Sequence, residues 1–263
     1  MELGLKGKVA LVAAASRGLG KAVAEELAIE GVSLILCARN EDILKKTCDE
    51  IRGKTGADIL GVTADLSKTE DIERLYQSAI AHFGQIDILV TNVGGPPAAT
   101  FENLSREAWE NATSLLLTSV LDLTRLVLPQ MKERNWGRIL NITSIAAKQP
   151  VNNLILSNSL RAAVTGFAKT LADEVAPFGI TVNNILPGYT RTERVIQLAQ
   201  TIAEKVGITP AEAQSRWENE IPMKRLGEPH EFAALAAFLV SERASYMTGS
   251  SIAVDGGWIR SMF

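Results

Sequence analysis

Cysteine and histidine are scarce in this chain, two of each among 263 residues, and neither cysteine stands in a CxxC pair or beside a histidine. A disulfide framework and a zinc site therefore lack their raw material, so no metal is expected and Cys37 and Cys48 read as ordinary thiols. Aromatic residues make up only 5% of the chain, and 27 basic against 30 acidic side chains leave a net charge of −3. That balance supplies neither a basic stripe nor a stacking platform, and nucleic acid is not expected as a partner. On this reading there is also no apolar run approaching the ~18 residues of a membrane span, and Glu2, Lys6 and Lys8 interrupt what would have to be a secretory leader. The chain reads as cytoplasmic. With 46% hydrophobic residues and no low-complexity linker or repeat, residues 1–263 form one domain around one sizeable core.

Short runs rich in Val, Ile and Leu recur at 8–14, 32–37, 57–63, 86–91, 137–143, 179–185 and 250–254, each the length of a buried strand. Segments with helical spacing lie between them at 18–30, 41–52, 69–83, 105–134, 154–177 and 228–241. Strand followed by helix, repeated, means parallel neighbours joined by crossovers, so the fold class is α/β: a doubly wound parallel sheet of seven strands with helices on both faces. Segment 190–220 breaks the pattern. It is polar, charged and helix-prone, and it follows the sixth strand. That position puts it over the carboxyl ends of the strands, where such sheets bind ligands, as a substrate lid.

The turn after the first strand reads Ala14-Ala15-Ser16-Arg17-Gly18-Leu19-Gly20 and runs into a helix. Glycines there let the backbone approach a pyrophosphate, and the helix N-terminus stabilises its charge. Asn92-Val93-Gly94 after the fourth strand and Pro187-Gly188 after the sixth add two loops at the same sheet edge. With Asp65-Leu66, GRILNITS, GITVNNILPG followed by Thr192, IPMKRLGEP and MTGSSIAVDGG, the chain from Lys8 to Gly257 resembles the short-chain dehydrogenase/reductases, in the branch of the 3-oxoacyl carrier-protein reductases. The resemblance implies a Rossmann sheet, a nicotinamide-dependent oxidoreductase acting on a carbonyl or alcohol, and homodimers or homotetramers paired through helices 105–134 and 154–177. It implies that Gly18, Leu19 and Gly20 hold the pyrophosphate, with Ala14 and Ser16 in the same turn, and that Asp65 and Leu66 meet the adenine. Asn92 and Gly94 go to the ribose side, and Gly188 to Thr192 to the nicotinamide carboxamide. Ala14 stands where the family's first glycine is usual, and its methyl is tolerable on a backbone with negative φ.

Charge selects the cofactor. A ribose 2′-hydroxyl calls for an acidic residue at the end of the second strand, whereas a 2′-phosphate calls for arginine. That end reads Cys37-Ala38-Arg39-Asn40, and Arg39 with Arg17 offers two guanidinium groups, so NADP is expected over NAD.

The family's reacting set of Asn, Ser, Tyr and Lys survives only in Ser144, which is expected to polarise the carbonyl. Ser157 stands at the tyrosine position, Arg161 at the lysine position and Leu116 at the asparagine position. A serine hydroxyl is too short for the tyrosine's task, and an arginine can hold ribose but cannot exchange a proton. Tyr189, beside Gly188, is the phenol available to take over as acid, and otherwise packs as a lid on the cofactor. Lys148 is a second substitute, and Arg191 is the one lid cation expected to anchor an anionic substrate. Two other readings compete with an NADP-dependent oxidoreductase of altered acid/base chemistry: a catalytically silent NADP-binding sensor or scaffold, and a non-redox enzyme using the same pocket.

Overall fold

The computed structural model describes residues 2–262, apart from the side chain of Lys205. In chain order the elements that build the scaffold are β1 (Val9–Val12), α1 (Gly18–Ile29), β2 (Ser33–Ala38), α2 (Glu41–Thr55), β3 (Ile59–Thr63), α3 (Thr69–Phe83) and β4 (Ile88–Thr91). They continue as α4 (Arg106–Thr113), α5 (Ser119–Glu133), β5 (Gly137–Ile142), α6 (Ile155–Val175) and β6 (Ile180–Pro187). The last four are α7 (Glu193–Val206), α8 (Pro210–Glu220), α9 (Pro229–Leu239) and β7 (Ser251–Val254). All seven strands are parallel in the order β3-β2-β1-β4-β5-β6-β7, as the crossover argument requires.

Both faces of the sheet are covered, and the strand period of two divides the side chains between them. Ala10 and Val12 of β1 join the core under α1, α2 and α9, where Val23, Leu27, Ile51 and Phe232 are buried. Val9 and Leu11 join the opposite core under α3, α5 and α6, with Leu75, Val127 and Leu171. Each such Leu, Ile or Phe is worth roughly 1.5–3 kcal/mol when fully buried, which is why the sheet interior reads as continuous apolar runs.

A chain of polar side chains also crosses this apolar sheet. Thr91, Asn141, Asn184 and Ser251 are register partners on β4 to β7. Thr91 Oγ1 donates to Asn141 Oδ1 (2.7 Å), Asn141 Nδ2 to Asn184 Oδ1 (3.1 Å) and Asn184 Nδ2 to Ser251 Oγ (3.0 Å). Buried amides are tolerated here because each finds its partner on the next strand.

Two expectations from the sequence are corrected by local geometry. The 105–134 helix is continuous but not uniform, because Ser114–Thr118 winds as a π-helical turn between α4 and α5. The hydroxyls of Thr113, Ser114 and Ser119 donate back to the carbonyls of Trp109, Glu110 and Leu115, four residues earlier in each case, and such back-bonding bends a helix. Moreover, the run Arg106–Glu133, 28 residues, is long and apolar enough to pass as a membrane span by length and composition, contrary to the expectation that no segment would. Its apolar face packs on the sheet, through Leu123, Val127 and Met131.

Candidate active site

The strand order reverses between β1 and β4, so the loops leaving their carboxyl ends splay apart and open a cleft at the sheet edge. Ala13 N–H donates to Val90 O on the β4 side, and Ala15 N–H donates to Cys37 O on the β2 side, both at 3.0 Å. The chain turns between these two anchors, and Ala14 takes up the turn with φ +47°. That corrects the expectation of a negative φ: the methyl is carried in the left-handed region, at a cost of about 1–2 kcal/mol.

Gly20 is required by close approach, since a Cβ there would lie 2.5 Å from Ala14 O and 2.8 Å from Asn92 Nδ2. Asn92 Nδ2 in turn donates to Ala14 O (3.4 Å), tying the β4 loop to the β1 turn across the switch point. The N-terminus of α1 has neither a side-chain cap nor an acidic residue in its first turn. By contrast Asn40 caps α2 and Thr192 caps α7. The unsatisfied N–H groups of α1 therefore face the cleft as an anion site. Beside it lies a depression of about 440 Å³ lined by Ser16, Arg17, Arg39, Asn40 and Ile43. These features fit a dinucleotide: the glycine turn for its pyrophosphate and the arginine-lined depression for a 2′-phosphate.

The structure separates the two expected phosphate arginines. Arg39 is exposed and makes no ion pair among the described residues, whereas Arg17 Nη1 is held by Glu193 Oε2 of the lid at 2.8 Å. Asp65 accepts from Ser67 N (3.1 Å) and Ser67 Oγ (2.8 Å), and the Leu66 side chain is buried in the core. Gly188 sits where a Cβ would approach Asp255 Cα to 2.7 Å, fixing β6 against the end of β7.

At the reacting end, Ser144 follows β5 in extended conformation, and its Oγ accepts from Ala146 N–H at 3.1 Å. The hydroxyl proton is left free to donate. Ser157 and Arg161 lie one turn apart on α6, exposed by only 7% and 8%. Arg161 Nη1 donates to Ile142 O at 2.9 Å, pinning α6 to the end of β5. Burial, and after it the nearby Arg194 charge, pushes this guanidinium down to about 10. Leu116, in the π-helical turn, packs with Ala112, Leu156 and Leu160 into a small apolar cluster that also takes in Val93 and Trp109. No polar relay runs through that position.

The segment expected to form a lid folds as the helix pair α7 and α8, with its own core of Ala199, Ala203, Ala213, Trp217 and Ile221. The Tyr189 ring is stacked on Trp217 (5.0 Å, 13°) and meets Trp258 edge-on at 6.2 Å, so it packs with the aromatics of this helix pair. Burial, reinforced by the Glu220 charge, raises its pKa. Arg191 Nε is paired with Glu228 Oε1 at 2.9 Å, whereas Arg194, three residues on, reaches back to donate to Gly95 O at 3.2 Å. Arg194 is thus the cation of α7 that contacts the loop after β4. The Thr192 cap could have separated the two, since Arg191 lies before it in the loop and Arg194 lies after it in the first turn of α7. Lys148 is exposed.

A bare helix start at the switch point of a doubly wound sheet fits a dinucleotide-binding protein, and comparison with known proteins gives its class and lineage. The chain belongs to the short-chain dehydrogenase/reductase family: residues 13–259 match the family model described as enoyl-(acyl carrier protein) reductase. The NADPH-dependent reductase BacG of Bacillus subtilis is 33% identical over 97% of this chain and 99% of its own length. The 3-oxoacyl-[acyl-carrier-protein] reductase FabG of Aquifex aeolicus is 34% identical over 98% of this chain and 99% of its own. L-sorbose reductase from Gluconobacter frateurii, solved with NADPH and L-sorbose, superposes with a TM-score of 0.96 at 35% identity over 100% of both chains. The protein is an oxidoreductase of this family, and its cofactor is NADP(H).

Proposed function

We propose that the protein reduces a small carbonyl compound with NADPH, or oxidises the corresponding alcohol, with Ser144 as the principal group of the chain acting on the reacting oxygen. The observation that carries this reading is the free O–H of Ser144, whose oxygen is already fixed by Ala146 N–H. Bound NADPH supplies the hydride. Gly18, Leu19, Gly20 and Arg39 hold its phosphates, with Asn92 and Gly94 toward its ribose. Arg161 orients α6 and cannot release a proton near neutrality, and Ser157 is too short to take a tyrosine's place. Proton delivery to the substrate oxygen therefore falls to solvent admitted beside Ser144.

The test is a pair of variants assayed by nicotinamide absorbance across a carbonyl panel. Losing one donor to a developing oxyanion costs about 10²-fold or more, so Ser144→Ala is expected to lower turnover on that scale, while Ser157→Ala stays within about threefold. Loss of activity in Ser157→Ala alone refutes this account. NADPH binding without turnover anywhere in the panel gives the sensor reading its place. Arg39→Ala is expected to weaken NADPH about ten- to a hundredfold while leaving NADH unchanged. We further read the protein as a cytoplasmic homodimer or homotetramer. The outward face of α6 is lined with small residues, Ser159, Ala162, Ala163 and Gly166, which permit close helix pairing about a two-fold axis.

A further inference from the structure

Two guanidinium groups at the reacting end have no carboxylate partner among the described residues. Arg161 is buried on α6 one turn past Ser157 and gives one of its five N–H donors to Ile142 O, at 2.9 Å. Arg194 comes from the opposite side, from the first turn of α7, and donates to Gly95 O in the loop after β4 (3.2 Å). Its guanidinium lies so close over Gly95 that a Cβ there would overlap it. Arg17, Arg191 and Arg225 at the same edge each have a glutamate partner: Glu193, Glu228 and Glu231. Among the described residues, Arg161 and Arg194 have none.

Their ionisation cannot relieve the arrangement. Burial lowers both guanidinium groups, and the charge of Arg194 lowers Arg161 further, yet about 10 is still far above neutrality for Arg161. A lysine in that position could shed its proton, but an arginine keeps it. The site thus holds a buried positive charge on Arg161 and an exposed one on Arg194, neither with a carboxylate partner, an arrangement that suits an anion. The cofactor offers Arg161 ribose hydroxyls but no negative charge on the reading given above, since its phosphates go to the α1 turn and Arg39 and its reduced nicotinamide ring is uncharged.

We infer that Arg161 and Arg194 form an anion subsite that takes a carboxylate of the substrate itself, so that the substrate class is an oxo acid rather than a neutral ketone. The planar forks of two arginines, one on the fixed wall and one on the lid, suit the two oxygens of a carboxylate bridging α6 and α7. Binding would draw the lid toward the Ser144 pocket. The inference rests on the reading that Ser144 faces the reacting carbonyl, and it places the acid group beside that carbonyl.

The test uses the full-length protein loaded with NADPH and calorimetric titration of acetoacetate and 4-methyl-2-oxopentanoate, each against its methyl ester. At least one acid is expected to bind about tenfold or more tightly than its ester, with the preference shrinking as salt is raised. Arg194→Gln should bring that preference below about threefold, and Arg194→Lys should restore part of it, because the charge is kept while the fork is lost. Arg194 is on the surface, so its variants avoid the folding risk of the buried Arg161. Equal binding of acid and ester by the parent, or a preference that survives Arg194→Gln, overturns the subsite. NADPH affinity is titrated separately. If NADPH binds and neutral carbonyls turn over with dependence on Ser144 but acids are not preferred, the subsite alone falls. If NADPH does not bind, the proposed function falls and the subsite with it.

Discussion

Replacing Ala14 with glycine reverses the usual sign of an alanine-to-glycine change. At an ordinary negative φ that substitution costs roughly 0.5–1 kcal/mol, because glycine has more freedom to lose on folding. Ala14 sits at φ +47°, held there by the hydrogen bonds that anchor Ala13 to β4 and Ala15 to β2. Its methyl in the left-handed region costs about 1–2 kcal/mol, which glycine recovers. Against this stand about 0.4–1 kcal/mol of added unfolded-state entropy and a few tenths for a half-buried methyl. The net is a gain of about 0.5 kcal/mol. In a domain of this size about 1 kcal/mol moves Tm by roughly 2–4 °C, so Ala14→Gly is expected to raise Tm by about 1–2 °C in scanning calorimetry, run without cofactor at two scan rates to check reversibility. A fall of about 2 °C or more would show that the turn is not strained at Ala14 and would refute the reasoning.

Thiol accessibility and acid stability give two further checks. Cys37 and Cys48 are both buried, and burial pushes the Cys37 thiol up to about 11, so a thiol reagent such as dithiobis(nitrobenzoate) should label neither in the native protein and both once it is denatured. Prompt labelling of either thiol under native conditions contradicts the packing. Glu231 is lowered from 4.5 to about 2 by the Arg225 hydrogen bonds and by Glu228 N–H, which it accepts in a capping box at the start of α9. Because the folded value lies below the unfolded one, its stabilisation is present above about 4.5 and disappears as pH falls toward 2. Glu231→Gln should therefore flatten the decline of the urea midpoint across that window, and an unchanged slope would count against the assignment.

The strands and their connections were legible because they depend on local matters: apolar runs of strand length, helical spacing between them, and the impossibility of joining parallel neighbours without a crossover. The glycine turn, Asn92 and Ser144 were legible for a similar reason, since each directly follows a strand. The site's finer details lie in contacts between distant segments. The φ of Ala14 is set by hydrogen bonds to Val90 and Cys37, neither of which is visible from the turn itself. Tyr189 went to the lid because Trp217 and Trp258, 28 and 69 residues further on, offer it aromatic faces. Arg191 stands nearer the Gly188 loop in sequence than Arg194, but Glu228, far along the chain, engages it. The π-helical turn at Ser114–Thr118 left a trace in the sequence, the four hydroxyl residues Thr113, Ser114, Thr118 and Ser119, that spacing arguments alone do not read.

The Thr91–Asn141–Asn184–Ser251 chain acts as an alignment key for a sheet whose strands come from far apart in sequence. Apolar runs are poor at specifying register, because one valine lies over another almost as well after a shift. A shift of one residue turns every side chain of a strand to the opposite face. Here such a slip would carry a buried asparagine away from both neighbours at once, leaving unmet polar groups that cost about 1–3 kcal/mol apiece. The penalty falls on wrong alignments and spares the right one, so four polar residues sort β4 to β7 during assembly. The same alignment sets how far β4, β5 and β6 extend, and so brings Asn92, Ser144 and Gly188 to a common edge.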